Sequence, residues 1–133
     1  ASEILPRLYL SDFLTALDDS ELARLGITHV VSVLRTAPTF PAHIRTLHVE
    51  IDDIATEDIL AHLAVTTAFI KDALAEGPNT KVLVHCLMGM SRSATVVCAY
   101  LIATTEMVAD EAVAFVKERR SIVQPNPGFM RQL

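Results

Sequence analysis

Two hydrophobic periods run along the chain, and in one stretch they follow each other closely. Val82-Leu83-Val84 is a short, apolar, β-branched run that predicts a buried strand. From Ser93 to Ala103 the chain is apolar on almost every helical face, which predicts a helix buried all round. Cys86 to Ser91 lies between them as a loop with a glycine inside it. Elsewhere the periods separate. Ile4 to Leu10 reads as an edge strand, because Pro6 cannot donate to a central ladder. Thr28 to Leu34 reads as a central strand and Ile44 to Ile51 as another. Ile59, Leu63, Ile70 and Leu74 keep roughly helical spacing in a helix from about Ile59 to Glu76, capped by Asp58 and stopped by Gly77-Pro78. Asp110 to Arg120 is amphipathic, with Ala112, Val113, Phe115 and Val116 on the inward face.

Shorter signals fill the gaps. Ser11 or Asp12 starts a turn or short helix, and Asp19 or Ser20 caps another over Glu21 to Leu25, closed by Gly26. Arg35 to Pro41 carries two prolines and is a loop. Pro125 to Gly128 is a turn, and Phe129 to Leu133 begins a last helix. Arg119-Arg120 reads as a solvated helix end, with a second anion site as the alternative.

Composition narrows the function classes. The 133 residues fit one domain, 1–133, and a hydrophobic share of 51% supports a core built from aliphatic side chains. The net charge is −5 with no run of Lys or Arg, which argues against an extended nucleic-acid footprint. Any anion site must then be local. The five histidines show no metal-ligand spacing, and no apolar stretch reaches the length of a membrane span. Cys86 and Cys98 are too few for a disulfide scaffold. A nucleophilic Cys86 needs a reducing compartment, so an intracellular setting, cytoplasmic or nuclear, is expected.

The chemistry concentrates between Cys86 and Arg92. Strand, tight loop and buried helix is the layout in which backbone N–H groups and a helix N-terminus converge on one anion. A loop folded back at this spacing rings a point above the sulfur with donors, and the guanidinium closes the ring. The same field stabilises a thiolate, and a thiolate beneath an oxyanion cradle is a nucleophile aimed at phosphorus. Cys-x5-Arg alone is a weak signal. His85-Cys86-x-x-Gly89-x-Ser91-Arg92-Ser93 is a far rarer string.

With that string, the chain resembles the cysteine-dependent protein phosphatases of the dual-specificity branch, as a small atypical member. The likeness runs from Leu8-Tyr9-Leu10 to Pro125-Asn126-Pro127-Gly128-Phe129. It implies an α/β fold in three layers: a central, mostly parallel sheet of about five strands flanked by helices. It also implies phosphomonoester hydrolysis through a phosphocysteine on Cys86. Arg92 and the loop N–H groups of Leu87, Met88, Gly89, Met90, Ser91 and Arg92 would hold the phosphate oxygens or another oxyanion. Ser93 would stabilise the departing thiolate, and His85 would support the loop. Asp52-Asp53 offers two candidates for the general acid at a strand end. The family pattern favours Asp53 over Asp52. No metal or other cofactor is implied, since Arg92 and oriented dipoles supply the positive charge.

Substrate class follows less directly. Leu87, Met88 and Met90 make the loop apolar, whereas the superfamily's phosphoinositide phosphatases carry basic residues there. That favours a phosphoprotein substrate, with phosphotyrosine and phosphoserine or phosphothreonine both accepted, and neither nucleic acid nor membrane as partner. The same chemistry on an RNA 5′-phosphate, a glycan or a phosphoinositide is one alternative. A phosphate-binding module without turnover is another. Arg35 and Phe40 lie in the loop that borders the active-site mouth in the family. The family also often caps the helix after the central one with Ser or Thr, where this chain has Val108.

Overall fold

Alternation along each strand decides the layers. In the computed structural model, which describes residues 1–133, Leu8 and Leu10 join one apolar cluster while Tyr9 joins a second. Val31 and Val33 are divided from Val30 in the same way, as Val82 and Val84 are from Leu83. Successive side chains of a strand point to opposite faces, so these strands form one sheet covered on both sides. The strands are β1 (Ser2–Leu5), β2 (Leu8–Ser11), β3 (His29–Val33), β4 (Arg45–Val49) and β5 (Val82–His85), in the order β1-β2-β5-β3-β4. β1 and β2 pair antiparallel, and the other three pairs are parallel.

Two short helices, α1 (Phe13–Leu17) and α2 (Asp19–Leu25), cover one face with a cluster of 7 buried residues. The other face carries α3 (Leu60–Ala75), α4 (Arg92–Thr104), α5 (Ala109–Arg119) and α6 (Pro127–Gln132), over a cluster of 25. The main core therefore lies on the α4 side. The result is the expected mostly parallel, three-layer α/β fold. β5 lies in the middle of the sheet, so the loop after it opens at the carboxyl ends of the parallel strands, where open α/β sheets place their ligands.

Several local expectations shift. Pro6 is not inside an edge strand. It opens a two-residue turn between β1 and β2, and β2 is an interior strand. Arg7 completes that turn at φ +71°, and its guanidinium holds the carbonyls of Leu74, Gly77 and Thr80 at the end of α3. Asp18, one residue earlier than expected, caps α2 by accepting from the backbone of Ser20 and Glu21. α6 begins at Pro127, whose missing N–H suits the first turn, behind an Asn126 cap. Val108 gives α5 no side-chain cap, but Glu111 reaches back to the Val108 N–H at 3.1 Å, half of a reciprocal capping pair.

Candidate active site

The loop from Cys86 to Ser91 has every one of its carbonyls turned outward onto a partner. The Cys86 oxygen accepts from His85 Nδ1 (3.3 Å) and the Leu87 oxygen from the Phe13 N–H (3.0 Å). Those of Met88 and Gly89 accept from Arg120 Nη2 (3.1 Å) and Nε (2.9 Å). The Met90 oxygen takes the Gln124 N–H (2.8 Å), and the Ser91 oxygen takes both the N–H and the hydroxyl of Thr95 (2.9 and 2.8 Å). A peptide's N–H points opposite to its carbonyl. Pinning the oxygens outside therefore leaves the amides facing in.

What they face is the sulfur of Cys86. Gly89 N–H reaches Sγ at 3.3 Å, and the Ser93 hydroxyl lies 3.0 Å away. Burial by itself pushes this thiol up. The Ser93 hydroxyl and the backbone amides of Ser93, Met90 and Gly89 outweigh it, and the thiol falls below its ordinary value. Gly89 has φ +68°, and a Cβ there would lie 2.6 Å from the Ser11 oxygen. The turn therefore needs glycine for conformation and for space.

The interactions that lower the Cys86 thiol come chiefly from the Ser93 hydroxyl and the amides. Arg92 stands at the far end of the loop. Its Nη1 donates to the Ile51 carbonyl at 3.1 Å, while its buried Nε has no acceptor. A buried, unpaired guanidinium donor at the first residue of α4 suits an oxyanion. The bond to Ile51 also ties the guanidinium to the segment that carries Asp52 and Asp53.

Those two carboxylates are held apart. Asp52 accepts from Arg35 at 2.8 Å, and that hydrogen bond holds its carboxyl below the usual range. Asp53 accepts from the Asn126 side chain at 2.9 Å. The Asn126 backbone N–H in turn donates to Ser91 Oγ (2.9 Å), so one residue bridges the segment after β4 and the cysteine loop. Asp52, with Arg35 and Arg92, lines a cleft of about 630 Å³ beside the loop; Asp53 does not line it. Sequence reasoning missed the parts of Asn126 and Arg120; Arg120, expected in a solvated helix end, instead spends its guanidinium on the loop carbonyls. Pro125-Asn126-Pro127-Gly128 was legible as a turn but not as the partner of Asp53, and Arg120 reaches the loop through three dimensions rather than by spacing.

His85 is fully buried between Phe13, stacked at 6.4 Å, and Phe40, edge-on at 6.1 Å. Burial pushes its pKa down to about 4, so it is neutral at pH 7. A carbonyl only accepts, so Nδ1 carries the proton toward Cys86, and Nε2 accepts from Ser32 Oγ at 2.7 Å. In this tautomer His85 supports the loop and exchanges no proton with Cys86. Phe40 packs against the His85 ring, while Arg35 stands exposed in the cleft. Cys98 is buried in α4 with its thiol pushed up to about 12 by burial, an inert core residue.

A second cleft, of about 400 Å³, opens on the other side of Leu87 and is walled by Phe13, Leu14, Met88 and Ile122. Leu14, Leu87, Met88 and Ile122 are all exposed, so apolar surface concentrates around the loop. No group of three or more His, Cys, Asp or Glu side chains is arranged to hold a metal ion. No helix is long and apolar enough to cross a membrane.

Comparison with known proteins agrees in fold and sequence. The model of the dual specificity phosphatase catalytic domain matches residues 8–133. The chain is 42% identical over 133 residues to a Slingshot homolog protein phosphatase of Xenopus laevis, covering 99% of this chain and 19% of that protein. It is 39% identical over 132 residues to dual specificity protein phosphatase 22-B of Danio rerio, covering 99% of this chain and 71% of that protein. The crystal structure of human DUSP28 superimposes with a TM-score of 0.92 at 35% identity, covering 99% of this chain and 92% of that one. The chain thus spans about a fifth of the length of the Slingshot relatives it matches.

Proposed function

The chain belongs to the dual specificity phosphatase family, and from that premise we propose that it hydrolyses phosphomonoesters on protein side chains through a phosphocysteine. The observation that carries this reading is the cysteine loop. Its carbonyls face out, its amides face the sulfur, and the Cys86 thiol is lowered.

Each group has a step. The Cys86 thiolate attacks phosphorus in line, so a P–S bond forms as the bond to the leaving oxygen breaks. The loop amides and the free Arg92 Nε hold the equatorial oxygens while charge redistributes over them. Asp53, in its acid form, gives its proton to the leaving oxygen. Its carboxylate then takes a proton from water as the water oxygen bonds to phosphorus and the P–S bond breaks. The Ser93 hydroxyl, 3.0 Å from Sγ, stabilises the thiolate as it departs. Asp53 is assigned the proton transfers because Asn126 ties it to the cysteine loop, whereas the Asp52 carboxylate is taken up by Arg35.

The surroundings favour a polypeptide substrate. A phosphorylated side chain in the cradle brings its chain neighbours, about 3.8 Å apart from Cα to Cα, across the rim. The rim offers them apolar Leu14, Leu87, Met88 and Ile122, and no cluster of lysines that would suit an RNA end or an inositol phosphate. Both phosphotyrosine and phosphoserine or phosphothreonine fall within the reading. Its test is Cys86→Ser, assayed with para-nitrophenyl phosphate and with panels of phosphopeptides, phosphoinositides and 5′-phosphorylated RNA. The native chain is expected to turn over the phosphopeptides best, and the variant to lose all turnover while keeping its circular dichroism. Residual turnover by the pure variant would refute the nucleophile. Preference for RNA or lipid would move the substrate class.

A further inference from the structure

The paired arginines at the end of α5 have separate fates. Arg119 lies over the Phe115 ring at 3.4 Å and donates to the Phe115 carbonyl at 2.9 Å, so it stays with its own helix. Arg120 leaves the helix and spends all three guanidinium nitrogens elsewhere. Nε donates to the Gly89 oxygen, Nη2 to the Met88 oxygen, and Nη1 to Ser2 Oγ on β1 at 3.2 Å. Two of these acceptors are consecutive carbonyls of the cysteine loop.

We propose that Arg120 is a positioning residue that sets the orientation of the 88–89 and 89–90 peptide planes and so keeps the Gly89 and Met90 amides aimed at the Cys86 sulfur. A peptide plane is rigid, so its two ends move together. The plane whose oxygen is on Arg120 Nη2 carries the Gly89 N–H that meets Sγ at 3.3 Å. The plane whose oxygen is on Nε carries the Met90 N–H, whose dipole also lowers the Cys86 thiol. Glycine at 89 makes such planes easy to rotate, since no Cβ hinders them. A carbonyl that turned inward would replace a donor by an acceptor beneath an anion. The bare α-carbon of Gly89 also makes room for the clamp: a Cβ there would lie 2.7 Å from Arg120 Nη2. The other outward carbonyls are held by backbone groups or by their own loop and helix. These two rest on one side chain, thirty-one residues from Gly89 and thirty-two from Met88. Lysine cannot replace it, because a single ammonium lacks the planar fork that reaches two carbonyls and a hydroxyl at once.

The inference rests on reading Cys86 as the thiolate nucleophile, and its test uses a readout that does not need turnover. Arg120→Ala and Arg120→Lys are compared with the native chain in the rate of iodoacetate alkylation against pH, in inhibition by vanadate, and in kcat and KM for para-nitrophenyl phosphate. Cys98 stays silent in the alkylation, being buried with a raised thiol. Both variants are expected to move the alkylation midpoint toward that of an ordinary thiol. Both should also weaken vanadate about tenfold or more, the scale of one lost charge-assisted hydrogen bond. Added guanidinium ion should partly restore vanadate binding to Arg120→Ala. Arg120→Lys, which keeps charge and bulk, covers the case in which the alanine variant fails to fold. An unchanged alkylation midpoint with vanadate inhibition within twofold, in whichever variant folds, would overturn the proposal. A native chain with a depressed thiol and no turnover would instead overturn the phosphatase reading and leave the role of Arg120 standing.

Discussion

Arg35 donates to the Asp52 carboxylate, and that one contact separates two adjacent acids. The guanidinium occupies the Asp52 carboxylate and holds its carboxyl below the usual range, which disfavours the acid form. Asp53 instead accepts from the neutral Asn126 amide, which also reaches the cysteine loop through its backbone. The consequence is a difference between leaving groups. An ester with a basic leaving oxygen needs the proton in the transition state, whereas a good leaving group departs without it. Asp53→Ala is therefore expected to lower kcat on phenyl phosphate by about a hundredfold or more, with far less effect on a 2,4-dinitrophenyl ester, read from a series of aryl phosphates. Asp52→Ala should leave the slope of that series unchanged. A steepened slope in Asp52→Ala would transfer the role to Asp52. At this scale the sequence carried Cys86, Ser93, Arg92 and the aspartate pair, because chemistry constrains residue type and spacing locally. It did not carry what turns the loop amides toward the sulfur. The outward carbonyl partners do that, and Arg120 and the Phe13 and Gln124 amides come from distant parts of the chain.

Two elements that look unrelated along the chain meet at Gly128. It lies in the first turn of α6, and a Cβ built on it would stand 1.9 Å from the Ala55 carbonyl oxygen. Backbone thus touches backbone between α6 and the segment that follows Asp53, while Asn126 beside it grips the Asp53 carboxylate. Gly128→Ala has to push the acid segment away. The expected result is a smaller version of the Asp53→Ala behaviour, with turnover lost for poor leaving groups and Cys86 alkylation unchanged, since residues 87–93 keep their contacts. A stability loss of about 1–3 kcal/mol in urea should accompany it, as for other overpacked sites. A thiol midpoint that moved with turnover would show the two loops to be one unit. The helix and strand periods were legible because each repeats within a few residues. The Asn126 bridge and the Arg120 clamp were not, because each depends on a partner dozens of residues away; the turn at Pro6-Arg7 is local, and its proline admitted two readings. Proline was correctly read as incompatible with a central strand, but a turn satisfies that constraint as well as an edge does.

Across the whole molecule the sheet divides the chain into unequal halves. The α3–α6 side buries 25 residues in one cluster, and the α1–α2 side buries 7. Strand identities could be read from hydrophobic runs, but the order that puts β5 between β2 and β3 is a property of crossovers, which no run records. That order places the thin layer directly over the back of the cysteine loop. Phe13, at the start of α1, donates to the Leu87 carbonyl and stacks on His85. Little else holds α1 and α2, whose buried side chains are Ala16 and Leu22, while α4 is buried along most of its length. Local opening costs least where few apolar contacts must be broken. Amides of α1 and α2 are therefore expected to exchange with solvent deuterium well before those of α4 and β5. Vanadate should slow the α1 amides selectively, because an anion that orders the loop also fixes the Leu87 carbonyl that Phe13 holds. Equal protection of α1 and α4 would show that the layers open together. Protection unchanged by vanadate would show that the α1 layer does not sense the cradle.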